Sequence, residues 1–300
     1  TGDNIIFAGN SIVGDQAQTP TGVAMVNGKI YESLTDTIGN ADDGDTVTLL
    51  QSITLKAPGG LSAGQGVITI EKDIILDGNN NKITAGDGFA WNTTSNRGEY
   101  HVINIQDGAD VTIRDLTIDV GKTSTSGARS GINIFTNAGE TAPTVLLENV
   151  HVQNCSTYGV TVGGGSLTAN DLTTSGNTWG GVNVDTKNNT KSSFTMNSGL
   201  IGEANSVYFE NGSNAVVTGK INGGTFAGVV SVADQEGTTS DVIGVTLTIS
   251  GGTFQNDVSA YLASGLEWDP STGAVYTPSQ GGSSSSGSSS ARPKVPPPPS

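Results

Sequence analysis

The sequence predicts an all-β chain, a right-handed parallel β-helix of about eight three-strand rungs with a short N-terminal capping helix. Three observations predict it. A segment whose apolar alternation changes phase at its centre recurs along the chain, a second apolar triplet precedes each copy, and no amphipathic helical pattern lies between them. The 43 glycines against 10 prolines, with 5% aromatic residues, suit such an architecture better than a helical one.

Residues 1–30 hold only short apolar pieces and form an N-terminal segment, either the edge of a preceding module or a strand packed on the cap. In YESLTDTIGNA at 31–41, Leu34, Ile38 and Ala41 share one helical face. This reads as a lid helix, because an open end of a coil exposes unpaired backbone and apolar rungs. Two less regular rungs follow, around TVTLLQSITL at 46–55 and VITIEKDIILDGNNNKI at 67–83.

The template of the regular rungs is VTIRDLTIDV at 111–120. Val111 and Ile113 fall on odd positions, Leu116 and Ile118 on even ones, so the inward face changes phase across Arg114 and Asp115. A phase change inside an apolar run marks a corner. The shape returns as VLLENVHV at 145–152, LTANDLTT at 167–174, FTMNSGLI at 194–201, GKINGGTF at 219–226 and LTISGGTF at 247–254. Asn, Asp and Gly gather at these corners because they tolerate the backbone conformations a sharp bend demands.

The preceding triplets are INI at 103–105 and 132–134, VTV at 160–162, VNV at 182–184, VYF at 207–209 and VSV at 230–232, spaced by 29, 28, 22, 25 and 23 residues. Strands that keep their length while loops vary stack in parallel. A flat parallel sheet would need crossovers of about a dozen residues or more, usually helical, whereas rungs pairing about 4.8 Å apart need none. No strict hexapeptide period is present, which favours the right-handed coil. VSAYLASGLEW at 258–268 supplies Tyr261, Leu262, Leu266 and Trp268 to cap the last rung, so the capping helix and β-helix occupy 31–278. Residues 279–300, a Gly/Ser run ending in ARPKVPPPPS, form an extended tether.

Charge and composition exclude several functions. Thirteen Lys and Arg against 28 Asp and Glu give a net charge of −15, which repels a nucleic-acid backbone. No apolar run approaches the roughly 18 residues that span a bilayer, so no membrane insertion is expected in this segment. The single cysteine, Cys155, rules out an intramolecular disulfide and a multi-cysteine zinc site, and reads as a small buried apolar residue. Cys155 and Asn177 are expected to share one turn position on adjacent rungs. No signal-peptide pattern is present, and the start at Thr1 reads as a mature form or an excised fragment.

Two stretches carry a family resemblance. KIYESLTDTIGNADDGDTVTLLQSITL at 29–55, with ITIEKDIILDGNNNKIT at 68–84, resembles the opening of the pectin-lyase-like β-helix region of bacterial cell-surface, adhesin-like proteins. ISGGTFQNDVSAYLASGLEW at 249–268 resembles its end, so the match covers roughly residues 29–278. The resemblance implies an extracellular location at the cell surface or wall, reached through a tether such as 279–300, and a polysaccharide or a host or matrix surface as partner. It specifies fold more than function, since such folds host lyases, hydrolases, adhesins and passive stalks.

For the pectate lyase branch, the resemblance implies acidic residues that hold calcium and an Arg or Lys that abstracts a proton beside the uronate carboxylate. Arg114, Asp115 and Asp119 form the most compact candidate. Their sister positions hold mostly Asn, Ser or Gly, which also fits an ordinary corner. The Asn-Thr-Asp, Asp-Asp, Gly-His-Gly and Arg-Ile-Lys motifs of the polygalacturonase branch are absent from the corresponding places. Asp77, Asn79 and Asn81 start like an EF-hand loop, but Lys82 and Gly88 break it, leaving a polar turn. His101 and His151 read as solvated or hydrogen-bonded strand residues.

Carbohydrate binding asks for aromatic faces beside hydrogen-bonding groups on a rigid surface. Tyr158 and Trp179 lie just before the short strands of consecutive rungs, and the insertion GFAWNTTSNRGEYH at 88–101 brings Trp91, Arg97 and Tyr100 to the same edge. The ordinary alternative is that these aromatics cover turns. The expected function is therefore a non-catalytic surface module for adhesion or carbohydrate binding, with Trp91, Arg97, Tyr158 and Trp179 as ligand-binding residues. The alternatives are a calcium-dependent polysaccharide lyase acting on uronate polymers and a passive stalk. No catalytic residue, metal ligand or cofactor is assigned, with calcium left open.

Overall fold

The computed structural model describes residues 22–121, 127–212, 215–234 and 243–278. The expected tether at 279–300 and the N-terminal segment up to residue 21 lie outside the described residues. The described chain is all-β, with one α-helix, Leu34–Gly39, and a 3-10 turn at Ser259–Tyr261.

A 14-stranded sheet and a seven-stranded sheet dominate the structure, and all the strands of the smaller one run parallel. The chain visits them alternately. It passes through the larger sheet at 46–55, 74–85, 110–119, 144–153, 165–175, 192–201, 217–226 and 245–254, and through the smaller one in the intervals. Each pass pairs with the next pass through the same sheet, which satisfies parallel ladders without helical crossovers.

The register follows the apolar repeat. Ile103, Ile132, Val160, Val182, Val207 and Val230 are successive partners in the smaller sheet. Val111, Val145, Leu167, Phe194, Gly219 and Leu247 are successive partners in the larger one. Along Asp110–Asp119, Val111, Ile113, Leu116 and Ile118 are buried while Thr112 and Thr117 are half-buried. A shift of register by one residue would expose the whole apolar set, so burial fixes the pairing.

The corners differ from the expected three separate strands per rung. In the middle passes the second and third strands merge into the continuous strands Asp110–Asp119, Thr144–Gln153 and Gly165–Ser175. Asp115, Asn149 and Asp171 sit there with φ of 49°, 52° and 62°, and the pairing steps over them. A single left-handed Asn or Asp turns the strand without ending its ladder. In the later passes the strand does break, and it resumes at or just after Gly199, Gly224 and Gly252, whose φ values of 120°, 103° and 112° favour glycine.

Ser33 caps the helix by accepting the Asp36 N–H at 3.1 Å, and Lys72 Nζ donates to the Gly39 and Ala41 carbonyls at 2.9 and 2.6 Å. A cation on these last carbonyls complements the helix end. Leu34, Ile38 and Ala41 are buried, and the helix packs near Gly66–Ile70, the edge strand of the smaller sheet. Ala24–Val26 and Lys29–Tyr31 form an antiparallel hairpin that joins the larger sheet through Ala24 and Leu49. At the far end Tyr261, Leu262 and Trp268 pack against the core, and Leu262 bridges Ile249.

Candidate functional site

Strand alternation builds the site. In the smaller sheet Ile103, Ile132, Val160, Val182 and Val207 are buried in the core, so their neighbours Asn104, Asn133, Thr161, Asn183 and Tyr208 face the opposite way, in register. The result is a polar row, one side chain per strand. Asn133 Nδ2 donates to Asn104 Oδ1 at 2.6 Å, and Thr161 Oγ1 donates to Asn133 Oδ1 at 2.6 Å. Asn104 in turn donates to Gln106 at 2.5 Å. This row floors a groove of about 700 Å³.

One lip of the groove comes from the residues that lead into the strands. The Tyr158 and Trp179 rings meet edge to face, with centroids 6.1 Å apart, and the Arg97 guanidinium lies over Trp179 at 5.5 Å. Gly180 makes this possible: a Cβ there would fall 2.8 Å from Tyr158 Cε1 and 2.5 Å from the Asn205 carbonyl. The Tyr158 ring therefore rests where only glycine leaves room. Burial, with the Glu210 and Tyr208 charges behind it, pushes the Tyr158 phenol up to about 12, so it remains a donor at neutral pH. Trp179 is 39% exposed.

The opposite lip is acidic. Asp185 and Glu210 are partners across adjacent strands. Asp185 is ion-paired with Lys187 and accepts the Gly212 N–H at 2.9 Å. Burial and then the Asp185 charge raise the Glu210 carboxyl above its usual range, against the opposing pull of the Asn183 hydrogen bond and Lys187. Such a pair can read sugar hydroxyls or exchange a proton with a ligand.

His101 and Arg129 also line the groove. His101 is 4% exposed, and its Nδ1 is buried without a hydrogen-bond partner among the described residues. This differs from a solvated or hydrogen-bonded strand histidine, because the groove wall closes over the ring without supplying a donor or acceptor. Burial, then Arg129 and Arg97, lowers its pKa to about 3, so the imidazole is neutral. His151 does hydrogen-bond, its Nε2 lying 3.1 Å from Ser175 Oγ.

Of the residues expected to bind ligand, Arg97, Tyr158 and Trp179 come together. Trp91 sits in the two-stranded hairpin that carries Arg97, opposite Gly98; neither lines the groove itself, and Arg97 reaches it only over the Trp179 ring. Arg114, Asp115 and Asp119 lie on the larger sheet. Arg114 donates to Asp77 through Nε at 3.0 Å and Nη2 at 2.8 Å, and this bond, with the Asp77 charge, raises its pKa. Asp115 accepts from Asn149 at 2.7 Å. Burial pushes the Asp119 carboxyl up, but hydrogen bonds from Asn154, Gln153 and Gly121, together with Lys82, outweigh it and hold it below the usual range. Asp77 accepts the Asn79 N–H at 2.8 Å, and Asn79 and Asn81 both donate to the Leu49 carbonyl, giving a polar turn. Among the described residues no three His, Cys, Asp or Glu side chains gather to hold a metal ion.

The sequence reading missed Asn104, Asn133, Thr161, Asn183, Tyr208, Asp185, Glu210 and Arg129. A signal for the first five was present, since each is the middle letter of an apolar triplet. The turn column does form as expected and extends one rung: Cys155 N–H donates to Asn177 Oδ1 at 2.8 Å, and Asn177 Nδ2 donates to buried Glu203 at 2.6 Å.

Compared with known proteins, the chain matches no family model, no curated protein and no solved structure. Among the described residues no helix is long and apolar enough to cross a membrane.

Proposed function

We propose that the alternating sheets form a right-handed parallel β-helix of the pectin-lyase-like kind, with Leu34–Gly39 as its cap, and that the groove binds polysaccharide at a bacterial cell surface. The observation that carries the reading is the Tyr158–Trp179 contact at the lip of a groove floored by Asn and Thr side chains. Aromatic faces stack on the apolar face of a sugar ring, and amides and hydroxyls pair with its hydroxyls. The floor repeats at the strand spacing of about 4.8 Å, so it offers equivalent contacts along an extended chain. Net acidity and the Gly/Ser- and Pro-rich sequence at 279–300 suit a secreted, wall-linked module.

A glycan array tests it. Tyr158→Ala and Trp179→Ala should each weaken binding by about 1–2 kcal/mol, roughly tenfold, with the circular dichroism spectrum unchanged. No binding to the array or to intact cells would leave the passive stalk.

The Asp185–Glu210 pair favours one second reading, an enzyme acting on the bound glycan. Calcium-assisted elimination has less support, since Arg114 is bonded to Asp77 away from the groove. Incubation with uronate polymers and calcium, followed by ultraviolet absorbance for unsaturated ends and an assay for new reducing ends, decides between enzyme and binding module. A rise in either signal would establish the enzyme.

A further inference from the structure

The chain carries more than twice as many acidic as basic residues, yet two of its three described arginines stand without an ion pair. Arg114 pairs with Asp77, Lys82 with Asp119 and Lys187 with Asp185. Arg97 and Arg129 have no such partner: among the described residues no carboxylate lies within ion-pair distance of either. The two cations belong to adjoining segments: a Cβ on Gly98, next to Arg97, would fall 2.7 Å from the Arg129 backbone N, and burial, then Arg97, lower the Arg129 pKa against the opposing pull of Glu99. Two guanidiniums side by side repel each other, the Glu99 charge does not outweigh burial and Arg97, and an anion held between them relieves the rest.

His101 points to the same place independently. Its ring is more than nine-tenths buried, lines the groove beside Arg129, and leaves Nδ1 without a partner. Buried polar atoms are nearly always paired, so an orphan in a groove wall is a place where a bound group can supply the missing partner. With the ring neutral, its tautomer can place a hydrogen on Nδ1 as a donor.

We infer that Arg97, Arg129 and His101 build an oxyanion subsite at the aromatic lip, which takes a carboxylate or sulfate carried by the glycan. The inference rests on the proposed glycan reading and adds the ligand's charge. Guanidinium forks match a planar carboxylate two bonds at a time and also grip a sulfate. Arg97 is already oriented by the Trp179 face beneath it. A sugar seated against Trp179 and Tyr158 would carry its acidic substituent toward the guanidiniums, while the Asp185–Glu210 lip would repel a second one.

Two measurements on the full chain test this. In the first, the arginine Nε–H resonances are followed during titration with sodium acetate and, separately, sodium sulfate at constant ionic strength. Arg97 and Arg129 should shift and saturate, while Arg114, held by Asp77, should not. In the second, calorimetry compares oligosaccharides of neutral galactan, polygalacturonate and sulfated galactan. At least one charged form should bind about tenfold tighter than the neutral one, the gain expected of a charge-assisted bond, and the tighter of the two identifies carboxylate or sulfate as the preferred group. Arg129→Gln should erase that advantage and Arg114→Gln should keep it; Arg97→Gln repeats the test should Arg129→Gln not fold. Equal affinity for neutral and charged glycans, or a preference that survives both Arg129→Gln and Arg97→Gln, overturns the subsite while leaving glycan binding in place. If no glycan binds but acetate or sulfate still moves Arg97 and Arg129, the subsite stands and the glycan reading falls. Anions that move neither resonance overturn the subsite.

Discussion

His101 couples the groove to pH. Its folded pKa, about 3, lies below the ordinary histidine value of 6.5, so on acidification the unfolded chain takes up its proton first. The sign follows directly: stability is full above about pH 6.5, falls as the pH drops below it, and levels off near pH 3, when the folded ring also protonates. The shift is worth at most about 5 kcal/mol. Urea unfolding of the wild type at pH 7 and pH 5 should show a loss, and His101→Gln should lose less over the same interval. An equal loss in both would remove His101 as the cause. Gly180 is the other residue on which the groove depends. Gly180→Ala puts a methyl group against Tyr158 and the Asn205 carbonyl, and should cost about 1–3 kcal/mol through overpacking. Thermal denaturation checks the cost, and the same variant should weaken glycan binding by displacing Tyr158.

Among the elements, the corners at Asn170, Asn197 and Asn222 are linked across passes by side-chain amides. Asn197 Nδ2 donates to Asn170 Oδ1 at 2.8 Å, and Asn222 Nδ2 donates to Asn197 Oδ1 at 2.8 Å. Asn197→Ala breaks both links and should cost about 1 kcal/mol, since the net value of such exposed bonds is small. A denaturant midpoint unchanged from wild type would show the ladder to be ornamental. These elements were legible in the sequence because burial writes itself as alternation: the triplets from Ile103 to Val232 and the phase change across Arg114 and Asp115 reappear as strand registers and a positive φ. The groove was legible only in part. Tyr158, Trp179 and Arg97 stand out as large side chains near turns, whereas Asn133 or Asp185 is an ordinary polar residue until the register stacks it on its neighbours. Arg129 and His101 were harder still, because their missing partners are a property of the folded surroundings. Trp91 looked equivalent to Trp179 in the sequence, and only the hairpin pairing of Trp91 with Gly98 places it off the groove.

For the whole molecule, a stack of parallel passes leaves edges that must be covered. The last pass ends in Phe254, which stacks on Phe226 at 4.7 Å, and Leu262 and Trp268 lie against the core beyond it. Removing residues 258–300 should expose this end and drive self-association, visible as a rise in scattered-light mass with concentration; a monomeric truncated chain would mean that the end needs no cover. The larger sheet and the smaller one also make different claims on a ligand. The former carries Arg114 in a closed ion pair, and the latter carries the open groove. The central claim, that the smaller sheet's outer face holds the glycan, is tested most directly by backbone amide shifts on adding a glycan that the array selects. The account predicts perturbation concentrated at Asn133, Tyr158, Thr161, Trp179, Asn183 and Tyr208, with Arg114 and Glu148 unmoved. Shifts centred on the larger sheet around Arg114, with the groove amides unchanged, would contradict it.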